Sequence, residues 1–253
     1  MKNIIIAGYP KSGATWLARV TAELVGCPVE GFWKLPKSGE IAREGDDRMS
    51  DYRCYKAHHQ KHEDEVFSRS NKIIYVVRDP RDIVVSGSNY FMLTKQFFLL
   101  FRWFPRWRKS YHRLYRDLVP ERYRIARMTQ AVLFGWAGDR WLRAPWKQHY
   151  ESYLDSGVLF VRYEDMLAAP HDECLKILRY LDQEVDDEAI KRTIENQSFQ
   201  TAKDRFGRAG ERTKVLHMRS GTSGQWKEKL SASQKALFVQ ELADDLRRFS
   251  YLD

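Results

Sequence analysis

A chain of 253 residues is long enough to bury one sizeable core and short for two full enzymatic domains joined by a linker. Its 43% hydrophobic and 30% charged residues are ordinary for a globular protein, and the formal net charge of +9 points to an anionic partner. That charge alone does not choose among nucleic acid, anionic lipid, a sulfated or phosphorylated polymer and a polyphosphorylated nucleotide, whereas three cysteines without metal-like spacing argue against a disulfide framework or zinc site and suit a reducing compartment.

Along the chain, Asn3 to Ala7 is too short for a signal-peptide core and runs straight into a glycine turn, so a cytoplasmic location is expected. The continuous apolar runs Ile4 to Ala7, Ile73 to Val77 and Val158 to Val161 predict buried strands. Trp16, Leu17, Val20, Leu24 and Val25 recur at helical spacing after Gly13, and Gly26 stands where a C-terminal cap belongs. Ile83 to Val85, Ile177 to Leu181 and Leu237 to Leu246 predict further helices, the last opened by Ser231 or Ser233. The alternation predicts an α/β fold, a parallel sheet flanked by helices, with more helix than strand. Nothing approaches the roughly 18 apolar residues of a membrane span, because Phe97 to Phe104 is interrupted by Arg102. Without repeats or linker-like tracts, residues 1–253 are read as one domain.

The loop Gly8-Tyr9-Pro10-Lys11-Ser12-Gly13-Ala14-Thr15 lies between the first strand and first helix, where backbone N–H groups and the helix dipole converge on an anion. Compared with a Walker A loop it keeps the glycine spacing, but Ala14 takes the place of the loop lysine and Lys11 sits inside the loop. Read alone, it is also compatible with a plain strand-to-helix glycine turn. Likewise Arg78 and Ser86, at a strand end and about two turns into the next helix, suit a terminal phosphate, or else a surface ion pair and a small packing residue.

Together these segments resemble the cytosolic-type sulfotransferases that use 3′-phosphoadenosine 5′-phosphosulfate (PAPS). Tyr9 to Leu17 is similar to that family's 5′-phosphosulfate loop, and Val76-Val77-Arg78-Asp79-Pro80-Arg81-Asp82 with Ser86 is similar to its 3′-phosphate motif. Val161-Arg162-Tyr163-Glu164-Asp165, Ser198-Phe199 and Arg219-Ser220-Gly221 before Ser223-Gly224-Gln225-Trp226-Lys227 follow in the family's order. The resemblance runs from near residue 3 to near residue 248 and implies a P-loop-containing, sulfotransferase-like fold. It implies that Lys11, Ser12, Gly13, Ala14 and Thr15 cradle the 5′ end, that Arg78, Ser86, Arg219, Ser220 and Gly221 hold the 3′-phosphate, and that Trp16, Tyr163 and Phe199 beside Ser198 form an adenine slot. Gln197 departs from the pattern, standing where the family usually has threonine.

Arg53-Cys54-Tyr55-Lys56-Ala57-His58-His59 resembles the family's strand carrying a lysine and, two residues on, the general-base histidine, which selects Lys56 and His58. Residues two apart on a strand share a face, so His59 would point away; it remains the rival base, with His62 more distant. The expected chemistry is sulfuryl transfer from PAPS to a hydroxyl, less readily an amine, with His58 as base, Lys11 and Lys56 stabilising the leaving phosphate, and no metal. The stretch 89–120, with aromatics and bases over 97–109, is expected to form a lid, an acceptor wall or a contact with an anionic membrane surface, against an ordinary core helix. Nucleic acid is not an expected partner. Ser231-Ala232 interrupts the family's dimerisation motif, which leaves the oligomeric state open. Two other classes stay in view: a P-loop kinase using ATP and magnesium, and a non-catalytic polyanion-binding protein.

Overall fold

The computed structural model describes residues 2–34, 43–61, 71–93, 114–154, 157–210 and 221–252. Lys2–Ala7 (β1) opens the chain and Ala14–Leu24 (α1) follows the glycine loop. Next come Val29–Phe32 (β2), Tyr52–Ala57 (β3), Lys72–Val77 (β4) and Pro80–Ser88 (α2), then Glu121–Phe134 (α3) and Trp146–Glu151 (α4). Val158–Arg162 (β5) leads into Tyr163–Ala168 (α5), Pro170–Tyr180 (α6), Asp187–Asn196 (α7) and Phe199–Arg208 (α8). The described chain ends with Trp226–Lys229 (α9) and Ala232–Arg248 (α10).

The described residues group into two units, the first comprising Met1–Gly8, Ser12–Val77 and Ser152–Ser223. It holds one five-stranded sheet in the order β2-β3-β1-β4-β5, parallel throughout. β1 lies at its centre because Ile4, Ile5, Ile6 and Ala7 can be buried on both faces: Ile4 and Ile6 join the cluster formed with α1 and α6, while Ile5 turns to Ala57 and Trp33 on the other side. Each of those isoleucines contributes about 1.5–3 kcal/mol by leaving water. Strands paired to either side of β1 make its carboxyl end a topological switch point, the place where parallel α/β sheets open a crevice.

The second unit comprises Tyr9–Lys11, Arg78–Glu151 and Gly224–Asp253. The first turn of α2 organises much of it. Asp79 caps its own helix by accepting from the Arg81 backbone N–H at 2.9 Å and also binds the Arg81 guanidinium at 2.7 Å, both side chains being buried. Burial pushes the Asp79 carboxyl up from its ordinary range, and Arg81 opposes that shift. The same guanidinium stacks 3.6 Å from the Trp226 ring centroid and donates to the Tyr251 carbonyl at 2.7 Å, while Asp82 accepts from the backbone N–H groups of Gly224 and Trp226. Gly87 lets α2 lie against Met128 of α3, where even a Cβ would meet the Met128 thioether. Asp245 of α10 ties down α4 through the Tyr150 hydroxyl and through Lys147 at 3.1 Å.

The predicted strands extend by a residue or two, to Lys2, Lys72 and Arg162, and helix exceeds strand as expected. Gly26 is left-handed just past α1, and Ser231 caps α10 in a capping box with Gln234. Unforeseen are β2, whose pairing is interrupted by a bulge at Gly31, and the helices α3, α4, α5, α7, α8 and α9. No helix among the described residues is long and apolar enough to cross a membrane.

Candidate active site

The carboxyl end of β3 carries the lysine and histidine singled out above. The strand ends at Ala57, so His58 is the first residue beyond it rather than part of it, but the shared face survives. The Lys56 ammonium lies 4.1 Å from the Phe32 ring centroid and the His58 imidazole meets the edge of the same ring at 5.3 Å. Lys56 is buried, and its Nζ donates to the Thr15 hydroxyl at 3.2 Å. His58 Nδ1 lies 2.7 Å from the Gly8 carbonyl oxygen. A carbonyl oxygen can only accept, so Nδ1 carries the hydrogen of that contact. The His59 backbone carbonyl accepts from the Tyr153 hydroxyl at 2.6 Å.

The glycine loop is built for close approaches. A Cβ at Gly8 would come within 2.8 Å of Ser12 Oγ and of the Val76 carbonyl oxygen, and Gly13, at φ +101°, would drive a Cβ to 2.6 Å from the Tyr163 ring. Gly13 also opens α1 without a side-chain cap or an acid in the first turn, which leaves the first helical N–H groups to an anion. Ser12 and Ala14 are buried.

Trp16 stands two positions into that helix. Its ring meets the Tyr163 ring edge-on at 5.5 Å, and its indole N–H donates to the Gln197 carbonyl at 2.8 Å. Gln197 is the C-cap of α7, and Ser198 next to it caps α8, accepting from the Thr201 N–H at 3.3 Å. Phe199, half-buried, packs so closely on left-handed Gly221 that a Cβ there would lie 2.6 Å from the ring. Trp16, Tyr163, Ser198, Phe199 and Gly221 therefore all belong to the first unit.

Lys11 and Arg78 belong to the second unit. Lys11 adopts φ 73°, a conformation costing a non-glycine residue about 1–2 kcal/mol, and the Arg78 guanidinium donates to its carbonyl at 3.1 Å. The Lys11 ammonium lies 4.3 Å from the Tyr90 ring centroid. Ser86 is half-buried on α2, at the second-turn position its spacing predicted. Arg219 and Ser220, His62, and the aromatic-basic stretch 97–109 lie outside the described residues.

Reasoning from sequence missed Phe32, Tyr90 and the Gly8 carbonyl. Phe32 was hidden because Gly31 masks β2 as a strand, and Tyr90 stood in view only as the residue four beyond Ser86. A backbone carbonyl carries no signal in sequence.

A family model described as the sulfotransferase domain matches residues 1–248. Mouse sulfotransferase 1 family member D1 is 24% identical over 98% of this chain and 85% of its own length, and human sulfotransferase 2A1 is 24% identical over 96% and 85%. The crystal structure of mouse sulfotransferase SULT7A1 complexed with PAP aligns with a TM-score of 0.68 at 23% identity, covering 97% of this chain and 85% of that one. A retinol dehydratase solved with androsterone and inactive cofactor PAP aligns with a TM-score of 0.61 at 17% identity, covering 96% and 80%. A match that takes in both the glycine loop after β1 and the basic end of β3, within the same parallel α/β fold, leaves one assignment: this chain belongs to the sulfotransferase domain family and is an enzyme of that class.

Proposed function

We propose that this chain transfers a sulfuryl group from PAPS to a hydroxyl, less readily an amine, of a small-molecule, glycan or lipid acceptor. One observation carries the reading: His58, held through its Nδ1 hydrogen on the Gly8 carbonyl at 2.7 Å, meets the same Phe32 ring that seats the Lys56 ammonium, so a histidine and a lysine lie together at the end of β3. The glycine loop fits a 5′-phosphate, because Gly8 and Gly13 exclude side chains where backbone must approach closely and α1 starts with uncapped N–H groups.

The donor supplies an activated sulfuryl group. His58 Nε2 takes the proton of the acceptor hydroxyl as its oxygen forms a bond to sulfur. The bond between that sulfur and the 5′-phosphate oxygen breaks, and Lys11 with Lys56 stabilises the charge left on the phosphate. Arg78 and Ser86, with Arg219, Ser220 and Gly221, hold the 3′-phosphate; Ser12, Ala14 and Thr15 complete the 5′ cradle; Trp16, Tyr163, Ser198 and Phe199 take the adenine. The buried free thiols Cys27, Cys54 and Cys174 suit a cytoplasmic setting.

The donor test is calorimetry without added metal. A 3′-phosphate held by charge-assisted bonds worth about 1.5–3 kcal/mol should make 3′-phosphoadenosine 5′-phosphate (PAP) bind roughly ten to a hundred times more tightly than AMP. Equal affinities would overturn the 3′-phosphate assignment, and turnover of ATP strictly requiring magnesium would replace the reading with a kinase. An acceptor screen with labelled PAPS then names the substrate class.

A further inference from the structure

Gln197 is 1% exposed, and both ends of its side chain are occupied. Its Nε2 donates to Glu23 Oε2 at 2.6 Å and to Glu44 Oε1 at 2.8 Å, while Arg205 reaches its Oε1 at 3.4 Å. The two carboxylates are themselves held: Arg205 and Arg19 pair with Glu44 at 3.0 and 3.2 Å, and Asn196 donates to Glu23 at 2.8 Å. The backbone carbonyl of Gln197 accepts the Trp16 indole N–H at 2.8 Å. Trp16 and Glu23 are seven residues apart on α1, two turns along one face. A single residue thus grips α1 twice, through its carbonyl at the indole and through its amide at the carboxylate below.

We propose that Gln197 is a positioning residue for base stacking: clamped by Glu23 and Glu44, it sets the carbonyl that fixes the Trp16 indole plane. The proposal rests on the nucleotide reading above. A carbonyl at a helix C-cap has no partner further along its own helix, so its direction depends on what anchors the residue. Here the anchor is a pair of charge-assisted bonds, stronger than neutral ones.

Two ligands separate positioning of the stack from general structural support. PAP presents base and phosphates, whereas an abasic 1,2-dideoxyribose 3,5-bisphosphate presents phosphates alone. Gln197→Met, which keeps volume and removes the amide, should weaken PAP about five- to tenfold and leave the abasic ligand within about twofold by calorimetry. In a Trp16→Phe background, which lacks the indole donor, Gln197→Met should add less than about twofold, the non-additivity of residues acting through one contact. Should Gln197→Met not fold, Glu23→Ala removes one clamp at a half-buried position and should weaken PAP alone by about two- to fivefold, with Glu23→Gln restoring it. Equal weakening of both ligands, unchanged PAP affinity, or independent effects of Trp16→Phe and Gln197→Met would overturn the proposal. Failure of the unmodified chain to bind either ligand would instead remove the nucleotide reading, and the proposal with it.

Discussion

The end of β3 and the slot around Trp16 lie in the same unit and are held by different means. At β3 the fixing group is the backbone: the sheet ladder places Ala57, and the Gly8 carbonyl holds His58 Nδ1. Around Trp16 the fixing groups are side chains, with two glutamates, an arginine and Gln197 converging from four segments. A backbone frame cannot be removed by substituting the residue that supplies it, except where a glycine becomes larger. A side-chain frame can be dismantled piece by piece. The β3 end should therefore respond to substitution through chemistry, and the Trp16 slot through affinity.

The largest effect expected of that contrast is at His58. With an acceptor from the screen, His58→Ala should lower single-turnover transfer about 10²- to 10⁴-fold and leave PAP affinity within about twofold, while His59→Ala stays near wild type. The comparison breaks if His59→Ala is crippled and His58→Ala is active, since the base would then sit on the other face. On the proposed role of Lys11, contact with the phosphate before and during transfer, Lys11→Ala should lower both donor affinity and rate. Trp16→Ala sharpens the other side: loss of a stacking face worth about 1–3 kcal/mol should raise the PAP dissociation constant roughly five- to a hundredfold, with the rate at saturating donor nearly unchanged. Gly13→Ala tests the backbone frame directly. Left-handed backbone alone costs alanine about 1–2 kcal/mol, and collision with the Tyr163 ring adds to it, so melting should fall by about 2–4 °C for each kcal/mol. The smallest effect is Glu44→Gln, which keeps an acceptor for Gln197 and loses charge toward Arg19, Arg205 and Arg48; a fall of a few degrees in melting temperature and under twofold in PAP affinity is expected.

What could be read in advance follows the same division. β1, β4 and the first helix announce themselves because apolar runs and helical spacing are local signals, and the glycines of the loop mark where backbone must bend or approach. That Lys56 and His58 share a face at the end of β3 was legible through spacing and resemblance, but not the contact of His58 with the Gly8 carbonyl, because every residue owns a carbonyl. The clamp on Gln197 was out of reach: its partners lie 174 and 153 positions away, and Glu23, Asn196 and Arg205 sit on amphipathic helices where a charge ordinarily reads as a solvated face. Residue 197 stood out only as a departure from a pattern, with no indication of what it would touch.

The first turn of α2 also sets an order of events in synthesis. Arg81 and Asp82 emerge from the ribosome in the first third of the chain, but Asp82 caps backbone N–H groups 142 and 144 residues later, and Arg81 meets a carbonyl 170 residues later. At about 5–20 residues per second, that interval is on the order of ten seconds or more. Throughout it the segment directly after Arg78 lacks the contacts that finish it, whereas β1, α1 and β3 are already made. Nascent chains released short of Tyr251 would hold all five strands and an α2 whose Arg81 still lacks the Tyr251 carbonyl, so Tyr251 acts as the lock on a motif translated long before it.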